Sequence, residues 1–191
     1  MRTTPLGDLD WRPAIDHPEL LAPVTLATLV AWTRDRPEVA ELVLVAPSDP
    51  GLADTAAYVA AYHVPIEASV NCVVISGTRD GQERVAAAAV RADMRADVNR
   101  VMRRLLDVRK CSFMPMEAAV DASGMAFGGI TPIGLPAGWP VYLDARVADV
   151  PTALIGSGIR GSKLLLPGEL LCRLPGASVV EGLAYDPTDR G

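Results

Sequence analysis

Apolar and polar positions change their period several times along this chain, and each change predicts an element. The first fifteen or so residues, with Pro5, Gly7 and Pro13, show no period and read as a tail laid over the surface or left loose. From Pro18 to Arg34 the spacing is compatible with a helix that begins after Pro23. "ELVLVAP", Glu41 to Pro47, is β-branched and hardly alternates, so it predicts a buried strand bounded by the turn "PSDPG". "LADTAAYVAAYHVP" predicts a helix of about ten residues that ends before Pro65, with Tyr58, Val59 and Tyr62 on one face. "VNCVVISG" and "RVAAAAVRA" flank the turn-forming pair Asp80-Gly81 and predict a hairpin.

The period then returns to 3.6. In "RADVNRVMRRLLDVRK", Asp97 is an N-cap and Val98, Val101, Met102, Leu105 and Leu106 fall at helical spacing, with Arg100, Arg103 and Arg104 on the outer face. "MEAAVDASG" predicts a short helix stopped by Gly124. "WPVYLD", "PTALIG" and "SKLLLP" read as strands, "PGELLCRLPG" as a two-turn helix, and "ASVVEGLA" as a final strand. This order predicts an α+β fold: a single domain with a mixed central β-sheet and flanking helices rather than a regular βαβ series. With 191 residues one core is the expectation.

Charge narrows the partners. The net charge of −5 argues against indiscriminate nucleic-acid binding and against DNA as a partner. Yet Arg91 to Lys110 holds seven basic and three acidic residues, a basic element on an acidic chain. Cys72, Cys111 and Cys172 fit neither a C-x-x-C motif nor a disulfide framework, which favours a reducing cytoplasm. The start lacks the pattern of a secretory signal, and the apolar window ending at Trp32 is too short to span a bilayer, so no membrane segment is expected.

Catalytic signatures are scarce. His17 and His63 fit surface or capping roles, and the patterns of zinc proteases, α/β hydrolases and P-loop enzymes are missing, so no metal and no cofactor are expected. Two glycine-rich loops remain. "FGGITPIGLP", Phe127 to Pro136, places Gly128, Gly129, Pro132 and Gly134 within eight positions, so that the backbone there can take positive φ or be closely approached. "GSGIRGSK" carries Gly156, Gly158 and Gly161 at G-x-G-x-x-G spacing, but no βαβ unit surrounds it. Both loops read either as tight turns or as two walls of one pocket.

A resemblance favours the pocket. "DTAAYVAAYHVPIEASVNCVVI", "VRADMRADVNRVMRRLL" with Asp93, Arg95, Asp97 and Asn99, "GGITPIGLP", "VYLD", "IGSGIRGSKLLLPGELL" and "VVEGLA" follow one another in the order of the YbaK family. That family is also called the aminoacyl-tRNA deacylase or editing-domain family, and it is related to the insertion domain of bacterial prolyl-tRNA synthetases. The resemblance runs from about Asp49 to Ala184, which divides the chain into a helical N-terminal extension, 1–48, packed on a YbaK-like domain, 49–191.

The resemblance implies a fold, a reaction and a site. Gly128 opens the family's G-x-x-x-P signature, which lines the pocket for the aminoacyl ester at the 3′ end of tRNA, and the reaction is hydrolysis of that ester. Gly128 and Asn71 are then the catalytic candidates, with Asn71 orienting the substrate. Gly129, Thr131 and Pro132 shape the ester site, and Ser157, Gly158 and Arg160 form the facing wall. Arg100, Arg103 and Arg104 become candidates for tRNA phosphate contacts. Aminoacyl-tRNA is the implied partner, and an aminoacyl-tRNA synthetase a second candidate. The chain departs from the family at Asn71, which stands where the usual Ala-Lys-Ser/Thr-Leu motif has lysine, so a positive charge is missing. Lys163 or Arg160, beside and within the second glycine loop, could return it. Cys72 is expected to be a buried structural thiol rather than a nucleophile. Two rival readings stand beside a trans-acting deacylase of small mischarged amino acids: a non-catalytic module that binds an aminoacyl-adenosine end, a small ligand or a synthetase, and a dinucleotide-binding oxidoreductase.

Overall fold

The computed structural model describes residues 2–52 and 54–190. The first and last positions of the expected two-part division, and Ala53 in the run expected as helix, lie outside them. The chain runs β1 (Arg12–Pro13), α1 (Pro23–Asp35), α2 (Val39–Leu42), β2 (Leu44–Pro47), α3 (Thr55–Tyr62), β3 (Val70–Arg79), β4 (Gln82–Arg91) and β5 (Arg95–Ala96). It continues through α4 (Arg103–Leu105), β6 (Cys111–Phe113), α5 (Met116–Ser123), β7 (Val141–Asp144), β8 (Ala153–Gly156), β9 (Ser162–Leu166), α6 (Gly168–Leu171), β10 (Ala177–Val180) and β11 (Ala184–Tyr185).

The expected mixed α and β domain is what forms, its strands shared among sheets. Among the described residues one sheet has the order β1-β2-β9-β8, a second β10-β7-β4-β3-β6, and β11 pairs with β5 as a ribbon. β7 runs parallel to β4 and to β10, whereas β3 is antiparallel to β4 and β6, so the second sheet is mixed. A parallel bridge between Ser69 and Leu154 ties the start of β3 to β8 and so joins the two larger sheets.

The hairpin forms where the Asp-Gly pair predicts it, with a tighter turn. Pairing continues to Arg79 and Gln82 because Asp80 and Gly81 both take positive φ, 52° and 78°, whose twist matches that of the flanking strands. The alanine run of β4 is fully buried on both faces. Ala89 joins a core that holds Leu29 and Trp32 of α1, Val45, Leu143, Ile155 and Leu164. Ala86 and Ala88 join Ile75, Met102, Leu106 and Leu183 on the opposite face. A smaller cluster under α3 gathers Tyr58, Val64, Leu154 and Leu165.

The helix expected beyond Asp97 is shorter and less regular than its periodicity suggests. Asp97 caps it, accepting from the Arg100 N–H at 3.0 Å, but the Met102 N–H reaches back to the Asp97 carbonyl at 3.0 Å, which widens the first turn to a π-type turn over Val98–Met102. Its end is set from outside. Arg84 of β4 donates to the Leu106 carbonyl at 3.0 Å and, with Arg79, pairs with the Asp107 carboxylate, while Asp107 takes a left-handed φ of 52°. No described helix is long and apolar enough to cross a membrane.

Candidate functional site

β3 enters its sheet with one edge partly uncovered. β8 reaches that edge at Ser69, and β6 begins opposite Ile75, where the Met114 N–H donates to the Val74 carbonyl at 2.9 Å. Strand alternation turns the main-chain N–H and C=O of Cys72 to the same edge as those of Val74, and no described strand covers it there. The gap is the floor of a cleft of about 440 Å³. Asp54 and Thr55, at the start of α3, form one wall, and Phe127, Gly128 and Ile130 the other, while Gly156 and Lys163 close the back.

The two glycine-rich loops do meet. The Gly158 N–H donates to the Gly129 carbonyl at 2.8 Å, and the Gly158 carbonyl accepts from the Ala126 N–H at 2.8 Å. Contact is backbone against backbone. A β-carbon on Gly129 would lie 2.4 Å from the Ile159 carbonyl oxygen, and one on Gly156 would lie 2.3 Å from the Gly129 carbonyl oxygen. What approaches these glycines is therefore the chain's own second loop, and the cleft lies beside their junction.

Of the residues singled out from the sequence, Asn71 and Gly128 both line the cleft. Asn71 accepts a hydrogen bond from the Thr55 hydroxyl at 3.1 Å, which holds its amide toward the α3 wall. Gly129, Thr131, Pro132, Ser157 and Gly158 are buried and do not line it. The Thr131 N–H points to the Met125 sulfur at 3.4 Å, and Ser157 shares a hydrogen bond with Ser162 at 2.7 Å, so both belong to the support behind the loops. Arg160 lies at the rim: its guanidinium donates to the Pro50 carbonyl at 3.1 and 2.9 Å and stands 5.9 Å from the centre of the exposed Phe127 ring. Arg100, Arg103 and Arg104 are exposed on the segment after Asp97 and line no part of the cleft.

Lys163 stands at the back of the cleft with its nitrogen 3.2 Å from the Gly128 carbonyl oxygen, to which it donates, and 5.4 Å from the centre of the Tyr58 ring. Burial lowers its pKa, and the nearby Arg160 charge adds to the effect. Behind the cleft a chamber of about 30 Å³, the room of one water molecule, is lined by Thr55, Tyr58, Ser69, Asn71 and Lys163. Sequence reasoning missed Thr55, Ser69 and this chamber; the only signal was Asp54-Thr55 as a helix start, and Asp54 does cap α3, accepting from the Ala57 N–H at 3.0 Å.

Cys72 lines the cleft, but burial pushes its thiol up to about 12, so it stays protonated at neutral pH and offers no thiolate. The histidines lie elsewhere: His17 pairs with Glu19 at 3.1 Å, and His63 caps α3 in a left-handed conformation and pairs with Asp8 at 2.7 Å. Among the described residues no group of three metal-ligating side chains comes together.

The sequence matches the aminoacyl-tRNA editing domain family over residues 49–174. No curated protein matches the chain. Among solved structures, that of a hypothetical protein superposes with a TM-score of 0.69 at 18% identity, covering 83% of this chain and 99% of that one. A proposed trans-editing enzyme for prolyl-tRNA synthetase superposes with a TM-score of 0.65 at 19% identity, covering 84% of this chain and 97% of the other. At such identities the likeness shows the fold.

Proposed function

The chain belongs to the aminoacyl-tRNA editing domain family, and from that premise we propose that it acts in trans as a deacylase, hydrolysing the ester between a small mischarged amino acid and the 3′ end of its tRNA. The observation that carries this reading is the uncovered edge of β3 at Cys72, opening into a cleft bounded by Asn71 and Gly128. An aminoacyl ester presents an ammonium donor and a carbonyl acceptor, and the edge offers one main-chain acceptor and one donor. The chamber beside Thr55, Ser69 and Asn71 seats the attacking water. An aminoacyl ester is already activated, so a held ester and a placed water suffice without a protein nucleophile. The cleft has room for a small amino acid, the class of substrate that a second sieve removes.

The tRNA body lies toward the basic segment. A groove of about 510 Å³ holds Arg95, Arg100 and the exposed Phe113, and β6, which carries Phe113, pairs with β3 next to the cleft. Guanidinium groups for phosphates and an aromatic face for a base suit the single-stranded end of tRNA. Arg103 and Arg104 extend the same charge.

The test is turnover of a panel of tRNAs mischarged with small amino acids, Ala and Cys on tRNA for proline included. At least one is expected to be deacylated about 100-fold faster than in buffer, the effect of a single well-placed electrostatic group. Replacing Arg100, Arg103 and Arg104 with Gln is expected to raise KM, leave kcat unchanged and lower the salt dependence by about one power of salt for each phosphate that is no longer neutralised. No turnover of any member overturns the reading, and binding without turnover then favours the non-catalytic module, whose ground is the uncharged Asn71.

A further inference from the structure

Lys163 is a cation drawn back from water without an acidic partner among the described residues. Its ammonium is partly buried, and among the described residues no carboxylate pairs with it; its neighbours are one main-chain carbonyl and the Tyr58 ring. Withdrawn charges are ordinarily paired, because desolvation is costly. Asp54, on the α3 wall, uses its carboxylate to cap α3. Lys163 also lines both the cleft and the water-sized chamber, and its ammonium keeps two N–H groups beyond the one given to Gly128.

We propose that Lys163 is a catalytic residue that holds the carbonyl oxygen of the scissile ester and the negative charge that gathers there, a role resting on the editing reading above. The anionic groups of an aminoacyl-tRNA are its phosphates and, during reaction, this oxygen. Phosphates lie on the strand that must leave through the cleft mouth, whereas the ester is the end of the chain and goes deepest. The substrate's own ammonium is repelled by Lys163 and turns toward the Cys72 carbonyl on the β3 edge. Water from the chamber bonds to the carbonyl carbon, and the carbonyl electron pair moves onto the oxygen beside Lys163. Collapse then breaks the bond to the ribose oxygen, which leaves with the proton that the water gives up; the products are the free amino acid and uncharged tRNA. A fixed cation in a site withdrawn from water stabilises that oxyanion far better than it would in solution.

The experiment uses the full chain on the aminoacyl-tRNA it deacylates. Lys163→Met is expected to lower kcat about 100-fold while KM moves less than about threefold, the pattern of an interaction made in the transition state. Removing an unpaired buried charge also stabilises the fold, so this variant is expected to melt no lower than the unmodified chain. Lys163→Arg should keep activity within about tenfold, and Asn71→Lys combined with Lys163→Asn should regain about tenfold over Lys163→Asn alone, because both positions face one cleft. Unchanged kcat in a folded Lys163→Met overturns the proposal and leaves editing standing; so does a kcat loss accompanied by a lower melting temperature and not rescued by Arg. If the unmodified chain deacylates nothing, both readings fall.

Discussion

Gly156→Ala is expected to melt roughly 10 °C below the unmodified protein and to lose activity altogether, on the scale of about 2–4 °C per kcal/mol for a chain of this size. The added β-carbon would lie 2.3 Å from the Gly129 carbonyl oxygen and 2.6 Å from that of Ile130. Both obstacles are main chain, so no rotamer change relieves them. The loops must part, breaking the bonds from Gly158 to Gly129 and from Ala126 to Gly158. Overpacking costs about 1–3 kcal/mol, and each broken hydrogen bond adds about 1 kcal/mol. The cleft goes with them, since Gly128 and Gly156 belong to its lining. Thermal melts of the variant check the first effect, and deacylation at a temperature where it remains folded checks the second. A melting temperature within about 2 °C of the unmodified chain would show that the loops do not depend on their mutual packing.

Gly128→Ala should behave differently, folding nearly as well and failing as a catalyst. Gly128 takes a φ of 78°, where a β-carbon costs about 1–2 kcal/mol, a tolerable loss for the fold. Its effect on the site is larger. Gly128 lines the cleft and its carbonyl anchors Lys163, so relaxation of that strain moves both the wall and the cation. A displacement of about 1 Å at a reacting centre costs about 100-fold, and on the proposed editing reading the new methyl also stands where the ester would approach. Single-turnover deacylation by this variant is thus expected to fall at least that far while its melting temperature drops only a few degrees. Full activity would remove Gly128 from the site.

The hairpin was legible because Asp80-Gly81 sets its turn locally, and so were β7, β8 and β9, where Pro and Gly punctuate short apolar runs; the run expected as one final strand instead splits into β10 and β11, which join different sheets. The irregular helix after Asp97 was not. Its apolar spacing is helical, but its end is fixed by Arg84, a residue on a strand some twenty positions earlier in the chain. The same limit governs the site. Composition singled out both glycine loops, and the resemblance to the editing-domain family singled out Asn71 and the missing lysine charge, because these are properties of residue type and position. Which faces of the loops turn outward depends on how their backbones meet, so Thr131 and Ser157, polar and well placed in the chain, end up buried behind the cleft. Lys163 follows the second loop in sequence, yet only the pairing of β8 with β9 and its reach to the Gly128 carbonyl bring it to the back of the cleft.

The central claim is that the aminoacyl end is held at the uncovered edge of β3. Amide NMR of the full chain, titrated with adenosine carrying glycine, alanine, serine or cysteine through a 3′-amide in place of the ester, tests it most directly, since binding is then separated from hydrolysis. At least one of these compounds is expected to shift the amide signals of Asn71, Cys72, Gly128 and Gly156 together. Shifts confined to the Arg95 to Phe113 groove, or none for any compound, would contradict it.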